Sequence, residues 1–396
     1  MARDIDVIIA GLTCLDIIPS FPSNQLLKPE EVFRPGRLVN IDKAAISLGG
    51  PVSNTGIGMV KLGVDVYFIT RLGDDTFGKL TLEMMMKSAN TEGVKVVCGE
   101  SSSYTLVIAP PGIDRIFFHS PGTNNTFSSN DVDLVLCKRA RIFHLGYPPL
   151  MKMLHENHGK GLVELYKKVK ETGVVTSLDM SLPDPNVPSG QLNWRNVLEN
   201  LLPYVDLYLP SAEESLFMVD REKYNRLNST PGDILDKLEW EDFHELADQL
   251  LEWGAKIVTL KSGHMGFYCR TASREKLAQL STPPADIDDW ADRELMAPAF
   301  KVDEVASATG SGDSSIAGFI AAYLKGESFE RALRYAVSLG YQNLSALDAT
   351  SGIKDWEYST GLVNNPEQPQ LLYKMDSDGW RFSEKKKMWL GENEVE

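Results

Sequence analysis

Two glycines and an aspartate stand together in SATGSGDSSIAGFIAAY (307–323), directly before an apolar stretch of helical character. Glycine lets backbone N–H groups approach a ligand closely, and a helix start already favours an anion. The amides of Gly310, Ser311 and Gly312 could therefore hold a phosphate. The carboxylate of Asp313 would repel that phosphate, so it is out of place in a simple phosphate site. Its presence is explained if it accepts a proton from the group that attacks the phosphate, as a general base does. The plainer alternative is a capped helix after a flexible turn.

A second unusual segment is LGGPVSNTGIGMVKLG (48–63), in which Gly49 and Gly50 precede Asn54 and a predicted helix. The side chain of Asn54 offers donors and an acceptor to hydroxyl groups. Asp16, at the end of the strand–loop GLTCLD, could accept hydrogen bonds from a polyol. Each also has a plainer interpretation, Asn54 as a helix cap and Asp16 as an ordinary loop carboxylate.

Two further segments place polar groups after predicted strands. The segment KSGHMGFYC ends a strand at Lys261 and turns through Gly263 and Gly266. Taken alone, it is typical of a hairpin turn. The segment PSAEES has the pattern of a capping box, with Ser211 as the N-cap and Glu214 three positions later.

Short β-type runs alternate with amphipathic helical stretches along most of the 396 residues. Several runs are apolar throughout, as expected for strands of a parallel sheet that is covered on both faces. The repeated order of strand and helix predicts an α/β fold with a mostly parallel sheet. The predicted strands are 6–11, 64–70, 141–146, 174–179, 207–210 and 256–261.

Some stretches interrupt this alternation. Residues 17–48 are rich in proline and polar residues, and residues 97–128 contain a predicted hairpin at 103–120. We expect both to belong to a small β flap added to the core. Residues 271–297 are expected to form a surface insertion, and the C-terminal SEKKKMWLGENEVE a solvated end.

The composition disfavours some classes of partner. The net charge is −15, from 40 basic and 55 acidic residues, whereas nucleic-acid binding usually requires a basic face. No stretch approaches the ~20 apolar residues of a membrane span. The four cysteines form no CxxC pair, which indicates reduced thiols and a cytoplasmic location.

Taken together, the motifs resemble those of the ribokinase-like (PfkB-type) carbohydrate kinases. GGPVSN resembles the family's N-terminal signature, and GDDTFG (73–78) resembles the box that follows it. PAFKVDEVASATGSGDSSIAGF (298–319) resembles the C-terminal signature, whose usual core is DTxGAGD. The resemblance implies a three-layer α/β/α core with a small β-sheet lid, and a sugar bound between them. It also implies ATP and Mg²⁺ near the C-terminal signature.

The resemblance also implies roles for individual residues. Asp313 matches the catalytic base, and Gly310, Ser311 and Gly312 match the anion hole. Glu214 would support magnesium through water. The positions matching sugar-binding residues are Asp16, Gly49, Gly50 and Asn54, and those beside the nucleotide are Lys261, Gly263, Gly266, Ser211 and Glu214.

Three departures from the family pattern change the expectations. Ser307 replaces the leading aspartate of DTxGAGD, whose loop helps to hold a monovalent cation in many members, so we expect little dependence on potassium. Ser211 replaces the asparagine of the NxxE element. After Asp179, Ser181 and Pro183 replace the asparagine and arginine of a D-x-N-x-R element, which disfavours an anionic sugar.

The function predicted from the sequence is ATP-dependent phosphorylation of a hydroxymethyl group on a small sugar. One alternative is a nucleoside (adenosine-like) kinase of the same superfamily, because Asp16 and Asn54 would suit a ribose equally well. Another is a sugar- or nucleotide-sensing binding protein that has lost catalysis, which the retention of Asp313 together with Gly310 and Gly312 disfavours. By resemblance, a homodimer that pairs through the lids is also expected.

Overall fold

The computed structural model describes residues 3–22, 33–110, 116–373 and 379–394. The strands are β1 Ile5–Gly11, β2 Cys14–Pro19, β3 Ala44–Gly49, β4 Val66–Ile69, β5 Arg71–Gly73, β6 Lys95–Val97, β7 Tyr104–Ile108, β8 Ile116–Ser120, β9 Ala140–Gly146, β10 Val175–Leu178, β11 Leu207–Tyr208, β12 Ile257–Lys261, β13 Gly266–Thr271, β14 Glu294–Pro298, β15 Arg381–Ser383 and β16 Met388–Leu390. The α-helices are α1 Pro51–Lys61, α2 Thr76–Met86, α3 Leu134–Arg139, α4 Lys152–Lys170, α5 Trp194–Leu201, α6 Ala212–Val219, α7 Arg221–Asn228, α8 Trp240–Glu252, α9 Arg274–Leu277, α10 Ile287–Trp290, α11 Ser311–Leu324, α12 Phe329–Asn343 and α13 Trp356–Asn364.

The largest sheet has the strand order β15-β16-β14-β13-β12-β11-β10-β9-β1-β4. Neighbouring strands are parallel from β12 to β4 and antiparallel from β15 to β12. All strands predicted from apolar runs are present, and they form the parallel part of this sheet. Their side chains are apolar on both faces because both faces are covered by helices.

Two hydrophobic clusters lie on opposite faces of the large sheet. One contains Leu162 of α4 and Phe243 of α8, and the other contains Ile316 of α11 and Ala336 of α12. The predicted three-layer α/β/α arrangement is therefore confirmed. None of the helices in the described ranges is long and apolar enough to cross a membrane.

A separate four-stranded sheet has the order β3-β2-β7-β8. Successive residues of a strand face opposite sides, so residues in register across the strands share a face. One row is polar and consists of Ser47, Asp16, Thr105 and His119. The adjacent row is apolar and consists of Ile46, Ile17, Leu106 and Phe118. This sheet is the predicted β flap, while residues 23–32 and the predicted hairpin turn at 111–114 lie outside the described residues.

The expectations for residues 271–297 and for the C-terminal segment need correction. The surface insertion ends in β14, whose residues Leu295 and Met296 are buried because β13 and β16 flank that strand. The segment expected to be a solvated end contains β16, in which Met388 and Leu390 are fully buried. Both strands belong to the antiparallel part of the large sheet, whose strands do not follow the regular alternation of strand and helix that the sequence pattern shows for the parallel part.

Candidate active site

Asp313 lies in the first turn of α11 and is almost fully buried, with 1% of its surface exposed. Its carboxylate accepts hydrogen bonds from three side chains on other elements. Asn54 Nδ2 donates to Oδ2 at 2.9 Å, and Thr55 Oγ1 donates to Oδ1 at 3.3 Å. Tyr147 OH lies 3.1 Å from Oδ1 and 3.2 Å from Oδ2. The two glycine-rich motifs of the sequence therefore meet at one carboxylate.

Burial raises the pKa of the Asp313 carboxyl, because a low-dielectric environment disfavours its charged form. The hydrogen bond from Asn54 and the charge of Lys261 oppose that rise, as do the bonds from the hydroxyls. Burial also raises the pKa of the Tyr147 phenol well above its ordinary value, so the phenol keeps its proton and donates a hydrogen bond to Asp313. A carboxylate with a raised pKa and neutral donors is suited to accept a proton.

The N-terminal motif places Gly49 beside Asp16, whereas the Asn54 side chain lies beside Asp313. A Cβ atom at Gly49 would lie 2.3 Å from Asp16 Oδ2, so only glycine leaves room for this carboxylate. Asp16 Oδ1 also accepts a hydrogen bond from Cys14 Sγ at 3.2 Å. A Cβ at Gly50 would meet Leu12, so this glycine is required by packing. Asn54 Oδ1 is buried and has no hydrogen-bond partner among the described residues.

Lys261 ends β12 and projects towards the start of α11. Its Nζ forms an ion pair with Asp179 and donates to Leu209 O at 2.6 Å. A Cβ atom at Gly312 would lie 3.2 Å from Lys261 Cε, so the lysine stem lies directly against this glycine. The Lys261 side chain therefore lies next to the start of α11, where the candidate phosphate site is.

Ser211 and Glu214 form the predicted capping box of α6. Ser211 N donates to Glu214 Oε2 at 2.7 Å, and Glu214 N donates to Ser211 Oγ at 3.1 Å. Burial raises the pKa of Glu214 despite the charge of Lys261, and burial raises that of Asp179 well above its usual range. Because the charges of Asp179, Glu214 and Asp313 act on one another, these carboxylates share one electrostatic environment with Lys261.

Such an excess of buried carboxylates over lysine is compatible with a divalent cation, which prefers oxygen ligands. In the part of the chain that the structure describes, no group of three or more His, Cys, Asp or Glu side chains is arranged to hold a metal ion. One Glu214 oxygen accepts the capping bond from Ser211 N.

The two glycines after β12, Gly263 and Gly266, have different roles in the structure. Gly263 begins a short 3₁₀ turn with a φ of 50°. A Cβ atom at Gly266 would lie 2.0 Å from Ala297 O on the neighbouring strand. Gly266 is thus required by the packing of β13 against β14, and its match to a nucleotide-binding position has no other support in the geometry.

The glycine loop before α11 is held from both sides. Gly310 has a φ of 77°, a region that residues with a Cβ atom rarely adopt, and a Cβ here would lie 2.4 Å from Ala349 Cβ. The amide of Ser311 donates to Ala308 O at 3.2 Å, so this amide is shared with the turn. The amides at the start of a helix lack partners within the helix and point towards its N-terminal side.

Sequence reasoning missed four side chains at this site, among them Thr55, which follows Asn54 in α1 and donates to Asp313. Tyr147 follows the last residue of β9 and has a φ of 61°, a conformation that is costly for a residue with a Cβ atom. Thr105 and His119 lie on the polar face of the small sheet, 3.0 Å apart between Oγ1 and Nδ1. The position of Tyr147 at the carboxyl end of a central parallel strand, where α/β folds bind ligands, was the available signal.

The family model described as pfkB family carbohydrate kinase matches residues 13–356. Because this match spans most of the chain, the chain belongs to the pfkB family of carbohydrate kinases. The protein is therefore an ATP-dependent carbohydrate kinase, as the resemblance of its motifs implied.

The individual relatives have low sequence identity to this chain. A probable chloroplastic fructokinase-6 of Arabidopsis thaliana is 27% identical over 44% of this chain and 45% of that protein, so the match spans less than half of the relative. An uncharacterized sugar kinase of Archaeoglobus fulgidus is 22% identical over 75% of this chain and 98% of that protein. The structure of Arabidopsis thaliana ribokinase complexed with ribose and ATP has a TM-score of 0.65 at 20% identity, covering 92% of this chain and 100% of that chain. This likeness confirms the predicted ribokinase-like fold.

The close contact at Gly310 generates a prediction with an internal control. Gly326 has the same φ of 77° but lies at the far end of α11, where a Cβ would be 3.1 Å from Ala285. We expect Gly310→Ala and Gly326→Ala each to lower the free energy of unfolding by about 1–2 kcal/mol or more, because alanine is strained at this φ. Only Gly310→Ala should also lower kcat, by roughly tenfold or more, because small displacements at a reacting centre are costly. Equal kcat values for the two variants would contradict a phosphate site at Gly310.

Proposed function

We propose that the protein transfers the γ-phosphoryl group of ATP to a hydroxymethyl group of a small sugar, with Asp313 as the general base. The observation that carries this proposal is the hydrogen bond of 2.9 Å between Asn54 Nδ2 and Asp313 Oδ2. It joins the candidate sugar site to the candidate phosphate site at the atom that would accept the proton. Asn54 Oδ1 is buried and without a partner among the described residues, and in the proposed complex it would accept a hydrogen bond from a sugar hydroxyl.

The proposed step moves one proton and one phosphoryl group. The sugar hydroxyl gives its proton to Asp313 as its oxygen attacks the γ-phosphorus, and ADP leaves with the electrons of the broken P–O bond. Amides at the start of α11, from Gly310, Gly312 and Asp313 and in part Ser311, stabilise the charge on the transferred group. Phosphoryl transfer depends mostly on such positioning and charge stabilisation. Closure of the lid would exclude water, which otherwise competes as the acceptor.

ATP would lie along the carboxyl edge of the large sheet, with its phosphates against the start of α11 and close to Lys261. The contact of Lys261 with Gly312 supports this placement. When bound, Mg²⁺ would neutralise charge on the phosphates, and Glu214 would orient one of its water ligands. The buried carboxylates Asp179 and Glu214 favour a site that receives a cation together with the nucleotide.

A neutral sugar is the substrate class that the polar face of the lid favours. Asp16 and Thr105 accept or donate hydrogen bonds, and burial lowers the pKa of His119, so its ring is neutral at pH 7. Ser181 and Pro183 stand where an arginine-containing element would recognise an acidic sugar. Ketohexoses and pentoses, which the names of the fructokinase and ribokinase relatives indicate, are the first candidates.

A homodimer through the lids and a cytoplasmic location stay predictions. The apolar row that includes Leu106 and Phe118 lies on the face of the lid opposite the polar row. Phe33 packs near Phe118 with ring centroids 6.2 Å apart on that face. A second copy of this chain would cover these side chains, and the molar mass in solution tests this.

The first test of the function is a substrate panel with a matched pair of variants. We expect ADP release to depend on a neutral sugar, and Asp313→Asn to lower kcat by about 10²- to 10⁴-fold with nucleotide binding retained. Asp288→Asn, at an exposed aspartate, serves as the control. Turnover with adenosine and not with sugars would favour the nucleoside kinase, and no turnover with either would favour a binding protein. If Asp313→Asn kept more than about a tenth of kcat, Asp313 would not be the base.

The sugar site can be tested separately from the nucleotide site. We expect Asp16→Ala to raise the KM for the sugar by roughly fivefold to a hundredfold, because a lost buried hydrogen bond costs about 1–3 kcal/mol. The KM for ATP should change little. Asp74→Ala removes an exposed loop carboxylate and is the control. Equal changes in both KM values would place Asp16 outside the sugar pocket.

A further inference from the structure

One face of helix α1 connects the candidate active site to a distant loop. Asn54, Gly58 and Lys61 are spaced i, i+4, i+7 and therefore lie on the same side of this helix. Asn54 contacts Asp313, and Gly58 packs against Ala317 of α11, where an added Cβ would lie 3.0 Å from the Ala317 Cβ. Lys61, the last residue of α1, contacts the loop that follows α12.

In that loop the Lys61 ammonium is held by backbone carbonyls. Lys61 Nζ donates to Thr350 O at 2.7 Å and to Ile353 O at 3.1 Å. Asp348 lies beside it and accepts bonds from the amides of Thr350 and Ser351 at 2.8 and 2.6 Å. Burial tends to raise the pKa of Asp348, but these amides and the charge of Lys61 lower it, so the carboxylate is ionised. Carbonyl and carboxylate oxygens are the ligands that a hard cation prefers.

The end of α12 and the loop that follows it support the glycine turn before α11. Ala349 lies against Gly310, where no Cβ could be accommodated. Asn343 Nδ2 donates to Thr309 O at 2.7 Å, and Leu344 O accepts a bond from Ala306 N at 2.8 Å. A displacement of the loop would therefore move the backbone that carries the candidate phosphate-binding amides.

We propose that Lys61 is a positioning residue whose ammonium group acts as a built-in cation, holding the 348–353 loop and, through Ala349, the orientation of Gly310. This inference rests on the proposed function, because it assigns Gly310 to the phosphate site. Lys61 touches neither reactant in this account and acts through the loop. Because the cation is part of the chain, catalysis should not require an added monovalent cation, in agreement with the expectation drawn from Ser307.

An ordinary structural role for Lys61 makes a different prediction. A lysine in the last turn of a helix stabilises that turn through the helix dipole, as any such charge would. In that case its loss would lower the melting temperature without changing kcat in the folded fraction. Potassium or ammonium added to the solution would then not change the kcat of the variant specifically.

The kinetic test compares two substitutions that remove the charge. Lys61→Ala leaves space for a small cation, whereas Lys61→Met fills that space with an uncharged side chain. We expect both to lower kcat by about tenfold to a hundredfold, because the phosphate site loses its orientation. Ammonium or potassium chloride should restore turnover several-fold in Lys61→Ala and not in Lys61→Met, relative to tetramethylammonium at equal ionic strength. Lys354→Ala, at an exposed neighbouring lysine, should behave like the wild type.

A second readout does not need turnover. Hydrogen exchange of the amides of Thr350, Ser351 and Ile353 should be slow in the wild type and independent of potassium. In Lys61→Ala exchange should accelerate, and ammonium should slow it again. If exchange changes in this way but the wild type shows no kinase activity, the proposed function is contradicted. The role of Lys61 in holding the 348–353 loop is then still supported.

Two results would overturn the role of Lys61. One is unchanged exchange and unchanged kcat in a folded Lys61→Ala protein. The other needs no variant, so it holds even if the substitutions prevent folding: several-fold activation of the wild type by potassium, or a potassium-dependent slowing of loop exchange, would mean that the loop takes its cation from solution.

Discussion

The hydrogen bond between Asn54 and Asp313 is the interaction on which the rest of the site depends. The two residues are 259 positions apart in the chain, and each stands near the start of its own helix. The two helices pack against each other, with Gly58 of α1 against Ala317 of α11, and this packing brings their starts together. Sugar-binding and phosphate-binding functions can then share one carboxylate.

The electrostatics of the site follow from burying that carboxylate. A buried charge is costly unless it is paired or hydrogen-bonded, and Asp313 receives its bonds from uncharged donors. The nearby Lys261 is paired with Asp179, so it moderates the field without neutralising Asp313 fully. The result is a raised pKa on a group that stays oriented. The strained backbone of Tyr147 is tolerated because its phenol completes this arrangement.

The sequence was informative where pattern and chemistry were local. The parallel strands were predictable because their apolar runs are uninterrupted, and the capping box of Glu214 because its bonds span three residues. The strand at Met388–Leu390 was missed because three residues between a basic run and a glycine carry little periodicity. Tyr147 and Lys61 were missed for a different reason. Their importance comes from partners far along the chain, which only the folded structure brings within reach.

The central claim is that Asp313 is a base whose pKa is set by burial and by its donors. The most direct measurement is the pH dependence of kcat with both substrates saturating, in the wild type and in Tyr147→Phe. Turnover should fall as the pH drops through the raised pKa of Asp313, above the value of about 3.9 for a free aspartate. In Tyr147→Phe this fall should occur at higher pH, because the phenol hydrogen bond lowers that pKa. An acid limb at the same pH in both proteins would contradict the account.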